Sequence, residues 1–322
     1  MRKLYPEALS DKSWDNTGLL LEAPFDPLRR NRNSVLLTVD LTRAVADEAI
    51  EQNASIVVAY HPIIFKGLKS LTLANSQQQS LLRLAARGIS RFGAIIDQKR
   101  PTVASSNRVI RASRSVCREE TAVHVAASPF DEWKFSAGKT AHTRQVITPV
   151  TNVPGLEGAG MGRIVRFQTP QALTSIIERV GQGLGDPKGF PIAIPQGSSV
   201  DEIKVSSIGI CAGSGGSLFS GINVDLLFTG ELSHHEALAA IEKGQVVITL
   251  FHSNTERGYL HSVMKDQLLD AIRDEWEYLR AEERGKPGLN DAESEALSDD
   301  SVEVEVSERD RDPYGIIIAQ EQ

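Results

Sequence analysis

At 322 residues, with 41% hydrophobic and 24% charged side chains, the chain has room for two domains or one large α/β unit and an ordinary globular composition. No apolar run nears the ~20 residues that a membrane-crossing helix needs, and MRKLYPEALSDKSWDN has no apolar signal core, so neither a membrane partner nor secretion is expected. The formal charge of −7 is local: residues 291–312 hold ten Asp and Glu against Arg309 and Arg311, a net of −8, which leaves +1 elsewhere and no basic excess for nucleic acid.

The two cysteines, Cys117 and Cys211, lack metal-type spacing and fit a reducing compartment. Cytoplasm is the expected location, with a mitochondrial or nuclear pool as the alternative.

In chain order, SVLLTVD (34–40) reads as a buried strand, LTRAVADEAIEQN (41–53) as a helix and SIVVAY (55–60) as a second strand. LANSQQQSLLRLAARGI (73–89) is a further helix, stopped by Gly88. Segment 90–141 fits neither pattern. It has six arginines, much Ser and Ala and weak periodicity, and reads as an insertion, a small extra module or an abnormally translated stretch. Strand character resumes at TRQVITPV.

The later part repeats the first, with strands at IKVSSIGI (203–210), VDLLFTG (224–230) and VVITLF (246–251) and a helix at HHEALAAIEKG (234–244). A long polar helix over 258–285 follows, then an acidic exposed loop, 286–312, and a closing strand within 313–322. The expected division is therefore 1–89, the atypical 90–141, a core segment 142–285, the loop and the closing strand. The fold class is α/β, with two similar βαβ-containing halves forming mixed sheets.

In such sheets ligands gather beyond the carboxyl ends of the strands. His61 follows one strand and His252 follows another, so two histidines from distant sequence hold the same kind of position. Pro62 disfavours the α conformation at His61 and keeps it extended. A histidine so held can offer one ring nitrogen to a metal while a neighbouring acceptor fixes the other, or can simply bond within a turn.

Glu256 lies four residues after His252, a spacing at which both can converge on a helix. Ser253 and Glu256 also fit a capping box, which would spend the glutamate on a backbone N–H. Ser233 and Glu236 fit another, leaving His234 and His235 in a first helical turn, where one can shuttle protons. The glycine-rich GICAGSGGSLF (209–219) follows a strand and matches neither the Walker nor the dinucleotide pattern.

SWDNTGLLLE (13–22), AYHPIIFKGLKSL (59–71), GAGMGRIVRF (158–167), GICAGSGGS (209–217), TGELSHHEAL (229–238) and FHSNTERGYL (251–260) together resemble the NIF-three-like family, also called GTP cyclohydrolase I type 2-like, in its eukaryotic branch. The resemblance implies an α/β fold of two halves, with a pair of divalent metal ions between them and a homo-oligomeric ring, often a hexamer; imidazole and carboxylate ligands together suit Zn, Fe or Mn. It assigns His61, His252 and Glu256 as metal ligands. Tyr60 stands where bacterial members carry another ligand. The family's S-x-H-T-x-x-D motif is absent after Gly88; Asp97 is the nearest carboxylate.

Two cations held close together need anionic ligands to offset their repulsion, so the missing motif predicts at most one tightly held ion per chain. A metal-dependent hydrolase with His234 or His235 handling protons is one functional expectation. A non-catalytic oligomeric adaptor with protein partners is the other, and a metal-handling protein stands between them. The family label points to GTP, for which the sequence carries no separate nucleotide motif.

Overall fold

The computed structural model describes residues 16–93, 140–150, 158–183 and 187–317, apart from residues 25, 27, 28 and 188, together with residues 1, 4, 5 and 9. The body of segment 90–141, Asp97 included, lies outside the described residues. The chain divides into two compact units, 1–96 with 263–310, and 97–262 with 311–322. Residues 263–285, expected to continue the later core segment, thus belong with the N-terminal one.

The first unit carries a mixed sheet in the order β1-β4-β3-β2-β11. β2 (Ser34–Thr38), β3 (Ile56–Ala59), β4 (Ser90–Gly93) and β11 (Glu303–Val306) run parallel, and β1 (Gly18–Leu21) pairs antiparallel with β4. The continuous apolar runs of β2 and β3 suit strands covered on both faces. Helix α1 (Arg43–Glu51) starts at Thr42, whose side chain accepts from Val45 N, and buries Val45, Ala46 and Ala49. Helix α2 (Ser76–Ala86) is capped by Asn75 and adds Leu81 and Leu84 to a core with Leu36, Val57 and Ile89. Gly88, at φ +71°, turns the chain out of α2 into β4.

The acidic stretch 286–312 is not a loop. It forms helix α7 (Asp291–Ser298) and strand β11. Asn290 and Glu293 make a capping box, and acidic residues in the first turn complement the helix dipole. Arg280 and Arg284, the former on helix α6 (Lys265–Glu283), donate to Leu297 O. Around β11, Arg32 pairs with Glu303 at 2.6 Å and Lys265 with Glu305 at 2.7 Å. The alternation Val302, Val304, Val306 buries one side of a strand whose glutamates obscure it in the sequence. The closing strand expected within 313–322 does not form over 313–317, and 318–322 lie outside the described residues.

The second unit holds a six-stranded mixed sheet, β5-β6-β8-β9-β10-β7. β6 (Gly160–Ala172) pairs antiparallel with both β5 (His142–Pro149) and β8 (Lys204–Ser214). β8, β9 (Leu226–Glu231) and β10 (Val246–Thr249) are parallel, and β7 (Ile192–Ala193) closes the edge antiparallel to β10.

Alternate residues serve two cores. Leu226, Phe228, Val246 and Ile248 pack with Ile176 and Val180 of helix α3 (Leu173–Gly183), whereas Leu227 and Val247 pack with Cys211 and Phe219. Helix α4 (His234–Glu242) opens on a complete Ser233–Glu236 capping box, whose hydrogen bonds hold the Glu236 carboxyl below its usual range. Helix α5 (Asn254–Tyr259) follows β10, and a π-helical turn (Leu260–Met264) leads to α6.

Candidate metal centre

In the first unit, the ladder between β2 and β3 runs past the strand ends, with Tyr60 N donating to Thr38 O (2.9 Å) and His61 N to Val39 O (3.0 Å). That register sets Asp40 beside His61, and Asp40 Oδ1 lies 2.9 Å from His61 Nδ1. A carboxylate only accepts, so Nδ1 carries the proton and the imidazole lone pair is on Nε2. The turn is braced at both ends. The guanidinium of Arg91, wholly buried on β4, donates to His61 O at 2.6 Å, and Asn16 Nδ2 donates to Ile64 O at 2.8 Å. The Tyr60 ring lies against that of His61, centroids 4.9 Å apart.

The second unit repeats this device. β9 ends in Glu231, and its Oε1 lies 2.8 Å from Nδ1 of His252, just beyond the neighbouring strand β10. The proton is again on Nδ1, and His252 Nε2 lies 3.5 Å from Glu256 Oε1. Two acceptor atoms so close repel unless a cation or a proton stands between them, and imidazole with carboxylate is a donor set for Zn, Fe or Mn.

Glu256 is buried, at 6% exposure, and Ser253 makes no side-chain cap bond, so Glu256 is turned toward His252 and not spent on the helix start.

The glycine-rich turn at the end of β8 forms the wall of this pair. Gly213 adopts φ +68°, and a Cβ there would stand 2.7 Å from Glu256 Oε1 and 3.1 Å from His252 Nε2. Thr255 Oγ1 accepts from Gly213 N (2.8 Å) and donates to His252 O (2.7 Å), while Thr229 Oγ1 donates to Gly213 O (3.0 Å). The motif thus serves close backbone approach to the His–Glu pair.

Of the residues the sequence singles out, His252 and Glu256 come together within one unit, and His61 is prepared in the same manner in the other. His234 and His235 are exposed in the first turn of α4, their rings edge to face with centroids 5.2 Å apart. Asp40, Glu231 and Gly213 were not foreseen as site residues.

Cys211 lies buried on β8. Burial first, and the Glu256 charge second, push its thiol up to about 12. A thiol so raised stays protonated and unreactive. Iodoacetamide at pH 8 is therefore expected to leave Cys211 unmodified in the folded protein and to alkylate it in urea, as read by peptide mass spectrometry.

Residues 1–283 match the Duf34/NIF3 (NGG1p interacting factor 3) family. Protein NIF3 homolog of Schizosaccharomyces pombe is 41% identical over 85% of this chain and 88% of its own length. NGG1-interacting factor 3 of Saccharomyces cerevisiae is 34% identical over 83% and 88%. Among solved structures, a Bacillus cereus protein related to NIF3 superposes with a TM-score of 0.60 over 98% of this chain and 96% of its own, at 16% identity. Staphylococcus aureus hypothetical protein SA1388 gives 0.61 over 97% and 95%, at 19% identity, and both likenesses concern the fold. The matched family, the two yeast relatives and the shared fold agree: the chain belongs to the Duf34/NIF3 family.

Proposed function

We propose that this protein binds a divalent cation through His252 and Glu256, with His61 as the further ligand that the family resemblance implies, and is a metal-dependent hydrolase. The observation that carries this is the facing of Nε2 and Oε1 at 3.5 Å with the tautomer fixed by Glu231. A cation bound there would supply Lewis-acid activation of water toward an electrophilic carbon or phosphorus. Glu231 keeps the imidazole oriented, Glu256 supplies the charge, and His234 or His235 at the start of α4 is the proton carrier. Asp40 supports His61 in the role that the family resemblance gives it.

The test is titration of the chelator-treated full chain with Zn(II) and Mn(II), followed by calorimetry. One tight site per chain is expected, and none in His61→Ala. Two tight sites would refute the single-ion expectation, and no site in the wild type would refute the metal reading.

The name of the budding-yeast relative, an interacting factor, favours a second reading as an oligomeric adaptor. In that reading, His252→Ala leaves partner capture unchanged.

A further inference from the structure

Thr255 holds the turn that carries His252 from within, its hydroxyl donating to His252 O, while the two residues flanking the histidine are held from further away. Phe251 adopts φ +67°, a left-handed conformation uncommon for any residue but glycine and persistent only where the surroundings enforce it. Ser253 lies at the start of α5, and its hydroxyl caps no backbone N–H of the helix.

The hold on these flanking residues comes from a segment 59 residues further on. Asp312 Oδ2 accepts from Ser253 N at 2.9 Å and from Ser253 Oγ at 3.1 Å. The other oxygen, Oδ1, accepts from Tyr314 N at 3.0 Å, and the Tyr314 ring lies 6.4 Å from that of Phe251, tilted by 32°. Arg257, one turn along α5, donates to Ser253 Oγ at 3.1 Å and adds its positive charge to the network. Both residues flanking His252 are thus gripped by one short stretch of the second unit, Asp312 on one side and Tyr314 on the other.

We infer that Asp312, seconded by Tyr314, is a positioning residue for His252. Through Ser253 N it fixes the backbone from which the imidazole projects, and so lets the ring meet Glu231 on one side and direct Nε2 to Glu256 on the other. This deepens the metal reading, on which only its second readout rests.

The first readout needs no metal: the imidazole ¹⁵N resonances of His252 in the metal-free full chain, which report a fixed tautomer against an averaged one. Asp312→Ala is expected to shift them toward the averaged values and to weaken Zn(II) binding about tenfold. Asp312→Asn keeps an acceptor oxygen for Ser253 N and is expected to restore both. Wild-type resonances in Asp312→Ala, or an Asn variant as disturbed as the Ala one, would overturn the assignment. Tyr314→Ala changes an exposed side chain and keeps the question decidable should Asp312→Ala not fold. A smaller shift in the same direction is expected, and an unchanged spectrum counts against the role. If the wild type binds no Zn(II), the metal reading falls while the resonance comparison still decides this one.

Discussion

Gly213→Ala is expected to abolish Zn(II) binding and to lower folding stability by about 1–3 kcal/mol, measured by urea denaturation without metal. Its φ of +68° alone disfavours a β-carbon, and that carbon would sit 2.7 Å from Glu256 Oε1, closer than any real contact. Either the turn or the glutamate must move, and both form the site. Gly197→Ala separates the two effects: its φ is +81°, but nothing lies within 4 Å of the added carbon. That variant should lose stability from backbone strain and keep Zn(II) affinity. Equal affinity in the two variants would show that Gly213 does not wall the pair.

The second large effect is expected at the pair itself. Zn(II) at about a hundredfold excess over its Kd should add about 2.7 kcal/mol to wild-type stability. His252→Ala and Glu256→Ala should show no such gain, with a far-ultraviolet circular dichroism spectrum like that of the wild type. Glu231→Gln, which leaves both ligands but removes the charge that fixes the tautomer, should weaken binding by about ten- to a hundredfold. The order matters more than any one value. Were Glu231→Gln to match His252→Ala, the hydrogen bond and not the ligand set would dominate. Were Glu256→Ala to retain the stabilisation, Glu256 would not be a ligand.

Much of this was legible in the sequence. Apolar runs such as SIVVAY and VVITLF announce strands, and the histidine just after each, His61 and His252, draws attention to the strand ends. The choice between capping and ligation at Glu256 was not legible, because S-x-x-E spacing satisfies both. Burial and the turn of Ser253 toward Asp312 speak against the capping box, and both depend on tertiary structure. Asp40 and Glu231 escaped because parallel register, which places each beside its histidine, is set between strands and leaves no mark within either. The acidic stretch misled for another reason. Its glutamates point outward to Arg32 and Lys265 while Val304 and Val306 point inward, so net charge concealed a strand.

That strand has a consequence for biosynthesis. Residues 303–306 align with 34–37 along the sheet edge, so β2 waits for its outer neighbour until all the intervening chain has been made. Until then Val35 and Leu37 border an open edge able to recruit the wrong chain. Truncation just before Ser301 should therefore give a product that aggregates during expression, even with His61, His252 and Glu256 all retained.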